Sequence, residues 1–528
     1  MAKSVLKTIT YPYRFAEKKV KGALGIKPKT VSPPRPLAYY INAVLNVRNT
    51  FPVNSIKIDG QYLWPFLRSE LSVNAMIANA QQVKNKRPFN AHQAQACTPN
   101  HLSFDMRQAY RAERGMKGIE DLENHHVDFL FFVNLNSVDL NETEDGYYNR
   151  LTDPLYRVAS EIGTAEKFEV IKTATPSVFK RDTYAYPTTA IVPTYVYTVG
   201  HAARAEYPRG LIDNLNKMIP YMQITEAQFG NWIDWQMHMV GFFRDLFAKY
   251  TPKVVFCHPY YYSAPMIFAA REMGARVVEL QHGAMAGENN LSYDNWQEIP
   301  ADGYLAMPDY FWVWGKEEHD RLRNVFQSDK PNRPKPIVGG YPWIEMSQEI
   351  DAGGAEKAAK LDAELRRFPQ KRRALVTLDM FAVIPPIVEE LIRQSQDDVL
   401  WVVRHHPKTK RKLRQEDVGS NVLISDTVDE ILLVSLFKQV DLHFSETSTS
   451  IYEADYFGVY NYICSERGLA NYKHYIDAGL AGYCTFDNIP ATLDEIRDGA
   501  TSEKRQRINY INQVDLKEVL LSLRDGTP

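Results

Sequence analysis

Two short segments gather cations, imidazoles and hydroxyls at the ends of strand-like runs. In VVRHHPKTKRK, Arg404, His405, His406 and Pro407 leave an apolar run, and Lys408, Lys410, Arg411 and Lys412 follow at once. Strand alternation puts Arg404 and His406 on one face and His405 on the other. Such a cluster can hold a diphosphate through charge-assisted hydrogen bonds. A solvated basic loop around a satisfied histidine would look the same. In HFSETSTSIYEADYFGV, Ser445, Thr447, Ser448, Thr449 and Ser450 lie between a strand and a helix. Hydroxyls and the first N–H groups of a helix are donors to an anion. Glu453 stands in the first turn, where it could accept hydrogen bonds from a ribose diol. Ser450 and Glu453 also spell a capping box, which would give that glutamate a local role.

A third segment, RVVELQHGAMAGENN, runs from an apolar strand into Gln281, His282 and Gly283. Glycine lets backbone approach a ligand closely. His282 could then be a base for a hydroxyl or a donor to a sugar or phosphate. The alternative is a histidine that orders the edge of its domain. In TEDGYYNR, Glu144, Asp145 and Gly146 resemble the acidic D/E-D/E-G signature that holds the base in bacterial sialyltransferases, which would imply Asp145 as a second candidate base, although Asp-Gly also makes ordinary turns. The histidine pairs His125–His126 and His405–His406 lack zinc-ligand spacing to cysteines. No metal and no cofactor are expected, and phosphate charge should be offset by Lys and Arg.

These residues need a scaffold that delivers them to one place. At 528 residues the chain exceeds one ordinary core, so two or more domains are expected. VDFLFFVN, KVVFCHP and ARVVELQHG are strand-length apolar runs with helical segments between them, the texture of a parallel sheet. A second series follows in RALVTLD, DVLWVVRHHP, NVLIS and VDLHFSE. In such sheets ligands bind at the carboxyl ends of strands, where all the candidate residues fall. The expected division is a basic arm at 1–35 and a helical extension at 36–125. A Rossmann-like domain at 126–300, a second Rossmann-like domain at 301–490 and closing helices at 491–528 complete it.

Composition narrows the classes. A net charge of -2 gives no argument for nucleic-acid binding. The four cysteines lack redox or metal spacing and read as reduced thiols. No apolar run approaches the ~18 residues of a membrane span, and no signal-peptide core is present, so a cytoplasmic protein is expected. The arm is the exception in charge. Lys3, Lys7, Arg14, Lys18, Lys19, Lys21, Lys27 and Lys29 face only Glu17. It reads either as a contact to anionic lipid at the inner face of a membrane or as a solvated tail.

The HP strand end, the Ser/Thr loop and EADYFG together resemble the donor half of GT-B glycosyltransferases, above all those that build bacterial capsule and lipopolysaccharide. ELQHG and YLWPFLR are similar to the same broad group. The resemblance implies an α/β fold of two Rossmann-like domains facing an interdomain cleft, the first taking an acceptor and the second a nucleotide sugar. It implies transfer of a sugar from a nucleotide sugar to a glycan or lipid-linked glycan. It places phosphate contacts on His406, Ser445, Thr447 and Ser448, and ribose binding on Glu453. With Arg404 and Lys408 these form the expected donor site, and His282 and Asp145 are the candidate bases. Glu446 and Glu453 are one residue too close for the paired glutamates of one large retaining group, so that pair is not carried over. A nucleotide-sugar epimerase of the same fold, or a non-catalytic polysaccharide-binding protein, are the alternatives.

Overall fold

The run Phe129–Val133 has no polar face, so it is stable as a strand only when both faces are covered. In the computed structural model all five of its residues are buried at the centre of a parallel sheet. The structure describes residues 37–72, 75, 117–133, 140–143, 146–170, 184–191, 201–219, 224–285, 291–350, 354–370, 372–379, 383–407, 409, 411–498 and 510–528. The basic arm, Asp145 and Lys408 lie outside them.

The first sheet contains β1 (Phe129–Val133), β2 (Ala165–Val170), β3 (Thr189–Ile191), β4 (Val254–Cys257), β5 (Arg276–Leu280), β6 (Tyr310–Val313) and β7 (Lys335–Val338). Its order is β7-β6-β5-β4-β1-β2-β3, parallel throughout. The direction of winding reverses between β1 and β4, which opens a crevice at their carboxyl ends. The second sheet contains β8 (Arg372–Thr377), β9 (Val399–Arg404), β10 (Val422–Leu423), β11 (Leu442–Ser445), β12 (Tyr460–Ile463) and β13 (Ala481–Tyr483). Its order β10-β9-β8-β11-β12-β13 is also parallel. Here winding reverses between β8 and β11, whose last residues, Thr377 and Ser445, are paired in register. Each unit is therefore Rossmann-like.

The division between the units differs from the expectation of a boundary at residue 300. β6 and β7 extend the first sheet. Apolar texture marks a strand as buried and does not say which sheet it joins. The final helix, Leu516–Asp525, also returns to the first unit. Its Leu520 and Leu523 are buried against Phe129, Phe131 and Leu155, and Arg276 donates to the carbonyls of Leu523 and Arg524 at 3.1 and 2.9 Å. The expected helical extension is partly β: Lys57–Ile58 pairs antiparallel with Gln61–Tyr62 and with Ala205–Glu206.

Two buried ion pairs fix the loops that carry site residues. Asp153 and Lys167 lie 2.6 Å apart, both almost fully buried. Asp153 also accepts from the Asn149 N–H at 2.7 Å, and the Asn149 side chain accepts from the N–H groups of Leu151 and Thr152. This holds the chain on both sides of Arg150. Arg68, from YLWPFLR, is 2% exposed and lies over the Trp296 ring at 3.8 Å. It donates to the carbonyls of Leu291, Asp294 and Asn295 and pairs with Glu298. This guanidinium thus ties down the loop at 291–298, with Arg48 also donating to the Asn295 carbonyl at 2.6 Å and Trp64 to Glu298 at 2.8 Å. Arg68→Ala should leave the Leu291 and Asp294 carbonyls without this donor and remove the closest cation from Glu298. Removing one partner of a buried pair costs ~3–5 kcal/mol, so the first unit should unfold at clearly lower denaturant, measured by tryptophan fluorescence.

Candidate functional site

The carboxyl edge of the first sheet presents His258 after β4 and Gln281 and His282 after β5. The side chain of Gln281 accepts from the Trp314 N–H at 2.7 Å and donates to the Gly283 carbonyl at 3.0 Å. That clamp fixes the turn on which His282 stands. The imidazole is one quarter exposed, with rings of His258, Tyr261 and Tyr293 at 6.1, 6.4 and 6.5 Å. Its Nδ1 is 3.9 Å from Oε1 of Glu279, a fully buried carboxyl inside β5. Tyr293 donates a short hydrogen bond to the same oxygen. Burial pushes the Glu279 carboxyl up to about 8, and burial, with Arg150 nearby, pushes the His258 imidazole down to about 4.

The second sheet answers with its Ser/Thr loop. Ser445 Oγ accepts from the Ser448 N–H at 3.1 Å. Ser448 Oγ accepts from the Ser450 N–H at 3.2 Å and from the Ser450 hydroxyl at 2.7 Å. Beneath the loop, His443 is fully buried on β11 between Asn461 Oδ1 at 2.7 Å and Thr377 Oγ1 at 2.9 Å. Asn461 donates its amide to the Ile451 carbonyl, so its oxygen faces His443 and must accept. The His443 proton is therefore on Nδ1, and Nε2 accepts from Thr377. Burial pushes this imidazole down to about 4.

The two edges touch. A Cβ placed on Gly283 would lie 3.4 Å from Thr449 Cγ2. Arg150 Nη1 is 3.4 Å from Glu453 Oε1. The structure thus brings together His282, the loop carrying Ser445, Thr447 and Ser448, and Glu453. The capping box is not formed: the helix starts at Ser450 with Thr449 as N-cap and no side-chain cap bond. Ser450 instead bonds Ser448, and Glu453 turns to Arg150. Burial pushes the Glu453 carboxyl up, and Arg150, Tyr341 and Arg404 oppose that rise.

The basic strand end divides into three roles. Arg404 donates through one nitrogen to the carbonyls of Val428 and Ile431 at 2.7 and 2.6 Å. It bridges the break between the short helices Asp426–Glu430 and Leu433–Phe437. Burial pushes this guanidinium down to about 10. His405 is buried, its Nδ1 3.0 Å from Asp429 and its Nε2 accepting from the Leu413 N–H at 2.9 Å. Lys412 turns back to Asp429 at 2.8 Å. His406 is half-buried where β9 ends. Sequence reasoning passed over Arg150, His258, Glu279 and His443. Glu279 had a signal, a carboxylate inside an otherwise apolar strand; Arg150 had none.

Two Rossmann-ordered sheets whose carboxyl edges meet across a cleft make this a two-domain α/β protein of GT-B architecture. No family model matches the chain, and neither does any curated protein. Solved structures similar to it include a UDP-GlcNAc 2-epimerase from Methanocaldococcus jannaschii, at 13% identity and TM-score 0.44 over 76% of this chain and 99% of that one. The wall teichoic acid polymerase TagF is similar at 10% identity and TM-score 0.41, over 86% and 96%. The glycotransferase of kitacinnamycin is similar at 12% and 0.38, over 77% and 95%. At these values the activities of those proteins say nothing about this one.

The buried histidines give a pH dependence. In the unfolded chain each would take up a proton near 6.5, but in the folded protein only near 4. Between these values the unfolded state binds more protons. Their contribution to stability is full above about 6.5 and is lost as pH falls to about 4, at up to ~1.4 kcal/mol per pH unit for each histidine. Urea titrations across this window should show it. His443→Asn, which cannot titrate, should give a shallower acid limb.

Proposed function

We propose that the protein is a glycosyltransferase that moves a sugar from a nucleotide-activated donor to a growing bacterial surface glycan. The observation that carries this reading is the approach of Thr449 to Gly283, close enough that an added Cβ would lie 3.4 Å from the threonine methyl, which sets a candidate base on one sheet beside a hydroxyl loop on the other. The donor diphosphate would lie against His406, Ser445, Thr447 and Ser448, with Lys408 and the neighbouring cations offsetting its charge. Ser448 supports this polarity. Its oxygen already accepts twice, so its own proton is left to donate outward. Glu453 would accept from the ribose diol and share its carboxylate with Arg150. Arg404 would contribute through Glu453 and the loop it braces, because its hydrogen bonds go to backbone carbonyls.

In the transfer step an acceptor hydroxyl oxygen bonds to the anomeric carbon as the bond from that carbon to the phosphate oxygen breaks. The electron pair leaves with the phosphate, and the acceptor proton passes to His282, with Asp145 the other candidate base. The acceptor proposed is a capsule or lipopolysaccharide chain, free or lipid-linked, reached at the inner face of the membrane with help from the basic arm. No helix among the described residues is long and apolar enough to cross a membrane.

The test is a panel of nucleotide sugars incubated with the protein, with and without glycan acceptors. Acceptor-dependent release of nucleotide is the expected result. Conversion of the nucleotide sugar without acceptor would mark an epimerase, and glycan binding with neither would mark a non-catalytic protein. On the active pair, His282→Ala should lower the rate by ~10²–10⁴ while donor affinity and thermal midpoint stay near wild type. Ser448→Ala should do the reverse and weaken nucleotide binding by about tenfold, the loss expected for one hydrogen bond to a charged group.

A further inference from the structure

We propose that Glu279 is the positioning residue of His282, a buried carboxylate that fixes the imidazole proton on Nδ1 and leaves Nε2 to act on the acceptor. The inference rests on the reading of His282 as the base. Its first support is placement. Glu279 is fully buried at the fourth of the five positions of β5, between neighbouring strands that are apolar. A carboxyl there is costly unless it is paired, and a valine would satisfy the packing. Oε1 takes the Tyr293 hydroxyl and faces His282 Nδ1 at 3.9 Å, and the Tyr260 backbone also bonds the carboxyl. Among the described residues, the imidazole within ion-pair distance of this carboxyl is the one at the site.

The second support is the construction around it. Tyr293 belongs to the loop at 291–298 that Arg68 holds by three carbonyls and an ion pair. Tyr260 donates to the Ser292 carbonyl in the same loop. The phenol that orients Glu279 is therefore fixed from two sides, and Gln281 fixes the turn bearing His282. Ligand-free catalytic contacts are often longer than hydrogen bonds and tighten with substrate, so the gap to Nδ1 is one that an imidazole rotation closes.

The chemistry follows from proton placement. An ionised Glu279 accepts from Nδ1–H, so Nε2 carries the lone pair that removes the acceptor proton, and the imidazolium formed is stabilised by the carboxylate. A protonated Glu279 donates to Nδ1 instead, which puts the ring proton on Nε2 and removes the base. Burial pushes the carboxyl up to about 8, so the competent form should gain population as pH rises toward that value. The other groups facing this pair are Tyr260, Tyr261, Tyr293, His258 and Arg68. Burial raises the three phenols and holds His258 down at about 4, so these do not titrate between about pH 6 and about pH 9.

The experiment measures rate against pH over that range for wild type, Glu279→Gln and Glu279→Asp, with donor KM, thermal midpoint and the imidazole ¹⁵N shifts of His282. Wild type should show a rising limb near pH 8. Glu279→Gln should lose that limb and lower kcat by ~10²–10⁴, the range for disabling a catalytic base or its orienting carboxylate, with donor KM unchanged. Glu279→Asp, which keeps a carboxylate, should retain the limb at reduced rate and serves if the glutamine variant does not fold. The ¹⁵N shifts should report Nδ1 protonation in wild type above pH 8 and its loss in Glu279→Gln. An unchanged limb, or ¹⁵N shifts indifferent to residue 279, would overturn the proposal. Shifts that follow residue 279 in a protein that transfers no sugar would leave the pairing standing and sink the glycosyltransferase reading alone.

Discussion

Tyr510 stacks on Tyr452 with ring centroids 3.7 Å apart, and this contact joins the two units. Tyr452 comes from the helix that follows the Ser/Thr loop, while Tyr510 lies on the segment that returns to the first unit and donates to Glu318 at 2.8 Å. Around the pair, Trp314 and Tyr341 stack at 4.2 Å, and Tyr148, Ile451, Tyr472 and Tyr475 complete a buried cluster drawn from both units. Aromatic pairs add ~0.5–1.5 kcal/mol each beyond the area they bury. Without a shared core of this kind two Rossmann-like units would swing about their linkers. With it, Thr449 can stand where it leaves Gly283 room for no more than a Cβ, and Arg150 can reach Glu453.

The same burial sets the electrostatics of the cleft. Glu279, Glu453, Arg404, His258 and His443 are all withdrawn from water, and each is pushed toward its neutral form. In so low a dielectric, hydrogen bonds and partner charges decide where protons sit. Arg150 illustrates this. It opposes the rise of the Glu453 carboxyl on the second unit and helps depress the His258 imidazole on its own, so the charge state of Glu453 depends on the first unit being in place.

Much of this was legible in the chain. Apolar runs such as FLFFV announce strands covered on both faces, and a parallel sheet then dictates that polar residues gather where strands end. That logic located His282, His406 and the Ser/Thr loop. It could not assign β6 and β7 to a sheet, because pairing partners are chosen by tertiary packing. It has no local signal for the break between Asp426–Glu430 and Leu433–Phe437, because that break is bridged by Arg404 from another strand. The capping box that spacing offered as an alternative for Ser450 and Glu453 does not form, and their partners lie on the loop and on the opposite unit. Local spacing predicts local bonds, and the residues that join the units are invisible to it.

The histidines differ in what their ring nitrogens face. His405 and His443 both have donors on Nε2 and acceptors on Nδ1, from Leu413 and Asp429 in one case and Thr377 and Asn461 in the other. Both nitrogens of each ring are engaged, and both side chains are buried, so these imidazoles brace the second sheet beneath its loop. His282 differs in keeping part of its ring exposed at the cleft while its Nδ1 faces a carboxyl. His443 and His282 occupy equivalent edges of their sheets, near or beyond the end of a central strand. The one inside the strand is held by its neighbours in the sheet, and the one past the strand end reaches the place where the two units meet.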